Sequence, residues 1–466
     1  VEHIDDDDFV EYYVEVDAND KSTVCVDSPV TVSGNTVEHI DDDDFVEYYV
    51  EVDAYEEAAV TLDGALTVSG NTVDYAYFSL VDYELNVYGM ESSCIEACMP
   101  LTVMCNTFAG GSMVEAEVSV DVYDNATAAL CNDVLVQGNS MESGYDEADR
   151  APTGMGYNGY GLKLFQYLSV EANDVLASGT IRSTVLFDQN TIAGYGLAGM
   201  NVYRNARAYG YGADALACIT GDVTATKNVL DIEGIGCGLA GGAEVYAYES
   251  GGNASSTVDT LFCFSQNEVT MEYGHGIVAY SEDGSEDYEA DEEWEHSAIS
   301  TNDLAYIIEN NCVYSTEGAT NGLASGYNDL YAIYVDVDEY VPVTVSGNTI
   351  DLFSGTGIYV ISGDVTIRNN NIAIEENGRG IWIEGGKVVV DDNCLNVGGY
   401  GIYITADDMV LKNSKLINIQ GTGLYIYESD DVLIENVMVT GAVTGIIATG
   451  CSNLTVCGCV FQENDN

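Results

Sequence analysis

The sequence predicts an all-β protein in which short parallel strands wind into a solenoid of about 14 coils. Three observations lead to this fold class: an internal duplication, a recurring octet that ends at an asparagine corner, and a second short strand at a fixed distance after the octet. No segment shows the apolar periodicity of an amphipathic helix. The 466 residues are therefore expected to form one continuous repeat array rather than a series of separate domains.

The clearest repeat is VEHIDDDDFVEYYVEVDA, which occupies residues 1–18 and recurs unchanged at 37–54. The hexapeptide TVSGNT occurs three times, and relaxing it to apolar, any, apolar, any, any, usually Asn, any, apolar gives more matches. These octets start at residues 30, 66, 101, 134, 185, 223, 262, 306, 343, 365, 388, 409, 432 and 454. Successive starts are 33 to 51 residues apart up to 343 and 21 to 23 apart afterwards. We therefore expect regular coils of about 22 residues in 343–466, continuous with longer, insertion-bearing coils in 1–342.

Each octet begins with the alternating apolar pattern of a β-strand, and in most octets the sixth residue is an asparagine, which signals a turn. In the C-terminal coils a second strand follows 13 to 15 residues after the octet start and opens with glycine. These strands are GIYVIS from Gly357, GIWIEG from Gly380, GIYITA from Gly401, GLYIYE from Gly423 and GIIATG from Gly445. Coils of two or three such strands would stack at about 4.8 Å and make a rod of roughly 65 Å.

One asparagine falls at the same corner of most coils, which predicts a ladder of stacked side-chain amides. The predicted ladder comprises Asn35, Asn71, Asn106, Asn139, Asn190, Asn228, Asn267, Asn311, Asn348, Asn370 and Asn393. With this repeat, the chain resembles the right-handed parallel β-helix superfamily, which includes pectate lyases, polygalacturonases and many archaeal and bacterial surface proteins. The resemblance implies a fold for nearly the whole chain, most clearly for 343–461, and selects no function.

The resemblance raises the hypothesis of a secreted polysaccharide lyase or glycoside hydrolase. Polygalacturonases carry Asn-Thr-Asp, Asp-Asp, Gly-His-Gly and Arg-Ile-Lys motifs in that order; this chain has Gly274-His275-Gly276 but neither the first motif nor the last. His275 is better explained as a corner residue before the strand GIVAYS. Pectate lyases use a cationic base beside calcium-binding carboxylates, and Arg368 and Arg379 lie outside any basic cluster that would bind a polyanion. The sequence therefore favours a protein without enzymatic activity.

Charge narrows the classes of partner. The chain has 78 acidic and 12 basic residues, a net charge of −66, while 47% of its residues are apolar. So much apolar surface argues against intrinsic disorder. The scarcity of Lys and Arg argues against nucleic acid as a partner. No apolar run approaches the roughly 18 residues of a membrane span, so we expect no transmembrane segment.

Two identical aspartate runs are weak candidates for a site that binds Ca²⁺ or another divalent cation, because hard oxygen ligands in close succession suit such ions. The runs are Asp5, Asp6, Asp7, Asp8 and Asp41, Asp42, Asp43, Asp44. They lack the spacing and the central glycine of an EF-hand, and the alternative is a solvated acidic loop. No other cofactor is expected.

The 13 cysteines are mostly isolated in the sequence and form no paired CxxC motifs. This distribution fits small buried residues or a partial set of disulfides better than a zinc or redox site.

The second strands predict an outward aromatic stripe. Tyr359, Trp382, Tyr403 and Tyr425 each stand two residues after the opening glycine, and aliphatic neighbours alternate with them. If the aliphatic residues face the core, the aromatic rings lie outside at one-coil intervals. Such rings could stack on sugars or bury themselves against another protein chain, and the second alternative is favoured.

The two ends of the predicted solenoid bear on how the protein is expected to assemble. The first coil begins at or near Val1 and the last octet is followed only by QENDN, so we expect no capping element and free strand edges. Such edges are templates for pairing between copies, and cations would neutralise the acidic residues there. The expected protein is an extracellular, self-assembling component of the cell envelope, similar in architecture and composition to sheath or surface-layer proteins of some archaea. A calcium-dependent adhesin with glycan contacts and a carbohydrate-active enzyme are the alternatives.

Overall fold

The computed structural model describes residues 9–27, 29–40, 44–143, 159–195, 197–287, 298–315 and 330–465. In these ranges the chain is all-β, with 44 strands and no helix. The first fourteen strands are β1 (Val10–Ala18), β2 (Thr23–Asp27), β3 (Val30–Ser33), β4 (Thr36–Val37), β5 (Val46–Ala54), β6 (Ala59–Asp63), β7 (Leu66–Ser69), β8 (Thr72–Gly89), β9 (Cys94–Cys98), β10 (Leu101–Met104), β11 (Thr107–Tyr123), β12 (Thr127–Cys131), β13 (Val134–Gln137) and β14 (Ser140–Ser143).

The middle of the chain contains the longest strands. These are β15 (Gly159–Asn173), β16 (Ala177–Arg182), β17 (Val185–Asp188), β18 (Thr191–Tyr195), β19 (Leu197–Tyr211), β20 (Ala215–Thr220), β21 (Val223–Thr226), β22 (Val229–Ser250), β23 (Ala254–Ser265), β24 (Glu268–Asp287), β25 (Ala298–Glu309), β26 (Cys312–Ser315) and β27 (Tyr331–Asp336).

The C-terminal strands are short and evenly spaced. They are β28 (Pro342–Ser346), β29 (Thr349–Leu352), β30 (Thr356–Val360), β31 (Asp364–Arg368), β32 (Asn371–Ile374), β33 (Arg379–Ile383), β34 (Lys387–Asp391), β35 (Cys394–Val397), β36 (Tyr400–Ile404), β37 (Val410–Lys412), β38 (Lys415–Ile417), β39 (Thr422–Tyr427), β40 (Leu433–Glu435), β41 (Met438–Thr440), β42 (Thr444–Thr449), β43 (Thr455–Cys457) and β44 (Val460–Gln462).

The strands stack coil upon coil into two sheets of 24 and 20 strands, and neighbouring coils pair in parallel. The octets form one uninterrupted stack of fourteen levels, from β3 through β7 and β10 to β43. The strands that follow the corner form a second stack, and a third stack runs from β1 through β5 to β42. The prediction of an all-β parallel solenoid of about 14 coils is confirmed.

The longer coils carry one strand more than the C-terminal ones. Strands β2, β6, β9, β12, β16 and β20, and the first halves of β23 and β25, form a fourth stack in front of the octets. This fourth stack is absent from the coils that follow β28 in the described chain. Part of the extra length is therefore regular β-structure that widens the coil, rather than loop.

The corner before each asparagine has the same backbone geometry in every coil. The residue that precedes the corner position has a positive φ, between 52° and 68°, in all fourteen coils. These residues are Gly34, Gly70, Cys105, Gly138, Gln189, Lys227, Gln266, Asn310, Gly347, Asn369, Asp392, Asn413, Asn436 and Gly458. Glycine and asparagine, which tolerate this left-handed conformation, occupy nine of these positions, and the turn bends the chain from the octet stack into the next stack.

The core is a single apolar column along the solenoid. Inward and outward side chains alternate along many strands, as in β5, where Val50 and Val52 are buried and Glu51 lies half-exposed between them. A large charged side chain also lies within the column: Arg204 of β19 is completely buried. Its Nε donates to Gln166 Oε1 at 2.9 Å and its Nη2 to the Ser183 carbonyl at 2.6 Å. Burial lowers the pKa of Arg204 to about 10.

The corner asparagines form the ladder in space. All eleven lie one above another, and each Nδ2 donates to the Oδ1 of the next, at 2.9 to 3.1 Å. Each amide from Asn71 onward also donates to a backbone carbonyl, as Asn71 does to Val32. Beyond Asn393 the position continues as Ser414, whose hydroxyl accepts the Asn393 N–H. Ten of the eleven asparagines are buried, so their side-chain amides depend on the neighbouring coils for hydrogen-bond partners.

A matched pair of substitutions tests the ladder. Asn370 is 1% exposed and bridges Asn348 to Asn393, whereas its neighbour Asn371 points to solvent. Asn370→Ala should lower stability by about 2–3 kcal/mol, because it leaves buried donors and acceptors of two coils unpaired. Asn371→Ala should change stability by less than about 0.5 kcal/mol. Urea unfolding followed by circular dichroism measures both, and equal effects would contradict the structural role of the ladder.

Candidate functional site

The predicted cation sites lie almost entirely outside the described residues. Asp5 to Asp8 and Asp41 to Asp43 are not described. Asp44 is described, and its Oδ1 accepts the Ser79 backbone N–H at 2.5 Å, so this carboxylate orders the chain after the acidic run. No group of three or more His, Cys, Asp or Glu in the described ranges is arranged to hold a metal ion.

Carboxylates line up along the outer face of the first coils. Glu11 of β1 lies opposite Glu47 of β5, which lies opposite Asp82 of β8. Asp17 and Asp53 face each other in the same way. Like charges at one strand spacing repel each other, which makes these columns sensitive to protons and to dissolved cations. Burial, then Glu51 and Asp17, raise the pKa of Asp53 above its usual value.

The aromatic stripe is a continuous column that the structure extends by one member. Tyr334 of β27 lies in register with Tyr359, followed by Trp382, Tyr403 and Tyr425. Ring centroids are 5.6, 4.5, 5.9 and 5.0 Å apart along this column, and the last two tyrosines are parallel to within 5°. The column lies outside the aliphatic core, with Ile358, Ile381 and Ile402 facing inward.

The rings pack mainly against one another. Tyr359 is only 8% exposed, and its hydroxyl donates to Glu384 Oε2 at 2.6 Å; burial, and then this hydrogen bond, raise the pKa of Tyr359. The guanidinium of Arg379 lies 3.9 Å from the centre of the Trp382 ring. Sugar recognition needs exposed ring faces, and here neighbouring rings or Arg379 cover much of those faces. The most exposed aromatic residues beside the column are Tyr400, at 42%, and Tyr427, at 36%.

His275 belongs to the upstream end of this aromatic region. It lies on β24 in register with Tyr331, and the two rings stack at 5.3 Å between centroids. Gly274 before it has a φ of 91°, but β24 continues through both residues, so His275 lies within a strand and not at a corner before one. Arg368, the other basic residue considered for lyase chemistry, ends β31 and lies in register with Asp391 of the next coil.

Several tyrosines are buried deeply enough to couple ionisation to folding. Tyr83 stacks on Tyr48 at 5.3 Å and donates to the Met99 carbonyl at 2.9 Å. Burial raises the pKa of Tyr83 well above its ordinary value. Burial likewise raises the pKa of Tyr123 and that of Tyr334 to about 12. Ionising these hydroxyls is therefore less favourable in the folded chain than in the unfolded chain.

The comparisons with known proteins agree with the fold. A family model described as "Right handed beta helix region" matches residues 400–466. The chain is a parallel β-helix. No curated protein and no solved structure matches it. Among the described residues there is no helix long and apolar enough to cross a membrane.

Sequence reasoning missed Arg204 and the ring-on-ring packing of the aromatic column. Arg204 could have been found, because it occupies an inward position of the alternating segment NVYRNARAYG. The ring orientations could not, since alternation gives the side of the strand and not the rotamer.

Alkaline titration tests the buried tyrosines. A raised folded-state pKa stabilises the fold fully below the unfolded value of about 10, and this contribution is lost as pH rises through the folded value. We expect the exposed fraction of the 34 tyrosines to ionise near pH 10 and the remainder in a later step near pH 12, together with loss of β-structure. Absorbance at the phenolate band and circular dichroism follow both. A single ionisation phase with intact β-structure would contradict this prediction.

Mild acid should stabilise the protein. Burial raises the pKa of Asp53, Asp121 and Asp336, so their stabilising contribution is full below the unfolded value and is lost as pH rises through the folded values. The thermal midpoint should rise as pH falls from 7 toward the unfolded aspartate value of about 4. Asp121→Asn, which mimics the protonated form, should raise the midpoint at pH 7 and weaken its pH dependence. Asp74→Asn, at an exposed position, is the control; a larger effect there would contradict the assignment.

Proposed function

We propose that this protein is an extracellular structural rod that joins copies of itself through strand edges, as a component of a cell-envelope sheath, surface layer or filament. The proposal rests on one observation: a strand of this chain already pairs with its own duplicate. The acidic surface fits a medium of high ionic strength, where repulsion between carboxylates is screened.

The self-pairing occurs between β1 and β5, which have the same sequence, VEYYVEVDA. The two strands are parallel and in register over all nine residues, so every side chain lies against its duplicate. Phe9 stacks on Phe45 at 4.9 Å, and Tyr13 stacks on Tyr49 at 5.0 Å with an interplanar angle of 2°. Homotypic stacking of this kind is the packing mode of cross-β assemblies. The sequence is thus compatible with repeated pairing.

The outer edge of β1 has no strand partner among the described residues. Val10 donates its N–H to Phe45, and Ala18 accepts from Tyr55, so the even-numbered residues of β1 bond to β5. In a parallel ladder the backbone groups of alternate residues point to opposite sides. The N–H and C=O groups of Glu11, Tyr13, Glu15 and Asp17 therefore face away from β5. This row of donors and acceptors is the surface that we expect a second copy to meet.

Repulsion between carboxylates determines the conditions under which a second copy can pair with this edge. The outward side chains of β1 include Glu11, Glu15 and Asp17, and a strand of like sequence would place carboxylates directly opposite them. Within the chain this arrangement is already tolerated between β1 and β5. Between copies it needs protons, salt or divalent cations to offset the repulsion. We therefore expect assembly to be cation-dependent.

A glycan-binding adhesin is the second candidate. Tyr400 is exposed and in register with Arg379, whose guanidinium lies against Trp382, so a sugar there would have both an apolar and a charged contact. Rods that remain single in electron micrographs would favour this candidate.

Proline substitution at the free edge tests the proposed assembly. Tyr13→Pro removes an N–H that points away from β5 and leaves the β1–β5 ladder in place, because proline is tolerated on an edge whose N–H faces solvent. Tyr13→Ala is the matched control: it loses the same ring but keeps the N–H. In divalent salt, electron microscopy and sedimentation should show ordered sheets, tubes or filaments for the unmodified chain and for Tyr13→Ala, and a severalfold loss for Tyr13→Pro.

A chelator should loosen the assemblies of the unmodified chain. Circular dichroism of each variant shows whether the rod itself remains folded. Equal assembly of the proline and alanine variants, or uniform single rods under every ionic condition, would overturn the proposal.

A further inference from the structure

Two cysteines stand opposite each other on adjacent coils. Cys98 ends β9 and Cys131 ends β12, and the two strands are parallel with Cys98 in register with Cys131. Both side chains point to the outer face: Cys98 is exposed and Cys131 is half-buried. In-register neighbours of a parallel sheet are about 4.8 Å apart. That separation lies within the Cα range of disulfides, about 4.4–6.8 Å.

The juxtaposition is particular to this pair. In the described strands the other cysteines face different residue types: Cys94 faces Thr127, Cys218 faces Thr180, and Cys237 faces His275. Cys98 and Cys131 also interact with each other, since burial and then a hydrogen bond between the two side chains raise the pKa of Cys131 to about 11. Arg182, in register with Cys131 on the next coil, opposes this rise.

We propose that Cys98 and Cys131 are a modification site that closes to a disulfide between two neighbouring coils by exchange with a small-molecule disulfide. The Cys98 thiolate attacks one sulfur of the small disulfide, breaks its S–S bond, and releases the first small thiolate. Cys131 then loses its proton to solvent and attacks the Sγ of Cys98, and the second small thiolate leaves. Two protein thiols are oxidised to one disulfide, and the small disulfide is reduced to two thiols.

Exposure sets the order of these steps. Cys98 is open to solvent, so the first exchange occurs there. Cys131 is half-buried, and burial makes its proton harder to remove, so the closing step is the slow one and accelerates as pH rises. The product links the third and fourth coils covalently on the outer face of the fourth stack. It leaves the octets and the asparagine ladder unchanged.

The test uses the full chain, reduced and then incubated with oxidised glutathione. Alkylation counts the remaining thiols, and mass spectrometry after glutamyl endopeptidase digestion identifies linked peptides. The unmodified chain should lose the thiols of Cys98 and Cys131 together and yield one peptide pair joined through them. Cys131→Ser should stop at a glutathione adduct on Cys98, and Cys98→Ser should form no link at Cys131.

Cys94→Ser is the matched control, because Cys94 is exposed on the same strand and faces Thr127 rather than a cysteine. This variant should form the link at the same rate as the unmodified chain. Separate glutathione adducts on Cys98 and Cys131, a link from Cys98 to another cysteine, or no reaction at either residue would overturn the proposal. Circular dichroism confirms that each serine variant keeps its β-structure, so loss of the link cannot be attributed to misfolding.

Discussion

Every feature of this protein depends on in-register parallel stacking, with each coil one hydrogen-bond spacing above the last. Fourteen octet strands pair without interruption from β3 to β43. Because the register is kept, each position of the repeat becomes a column along the rod. The identity of the residue in a column then decides whether the stacking stabilises or destabilises. A single substitution therefore changes the contacts with the coils on both sides.

The stacked columns differ in whether they stabilise or destabilise the fold. Amide on amide is favourable, because each asparagine both donates and accepts along the ladder. Ring on ring is favourable too, as between Tyr403 and Tyr425. Carboxylate on carboxylate is not, and Glu11 over Glu47 shows that the chain tolerates it. A net charge of −66 therefore works against the same geometry that the ladders stabilise. The balance explains why protons and cations should act as controls on stability and assembly.

Much of the fold could be predicted, because its signal is local and repeated. Each octet carries its own alternation and its own turn residue, so the level of Asn228 or Asn348 could be assigned without knowledge of the other coils. The fourth stack was not predicted, because its strands, such as β6 and β16, lie in the segments between octets. The length of these segments varies from coil to coil. Arg204 was overlooked within a predicted apolar column, although its hydrogen bonds to Gln166 and Ser183 make burial tolerable. Pairing of Cys98 with Cys131 required the register, which isolated cysteines do not reveal.

The central claim is that copies extend the coil stack through strand edges, and fibre diffraction tests it most directly. Assemblies grown in divalent salt would be aligned in a capillary and exposed with the long axis vertical. We expect a reflection at about 4.8 Å along that axis, because the strands of every copy would cross it at one hydrogen-bond spacing. A reflection of that spacing at right angles to the axis would mean that the rods lie side by side across the assembly. That result would contradict edge-to-edge growth and would mean that contacts between the sides of the rods hold the assembly together.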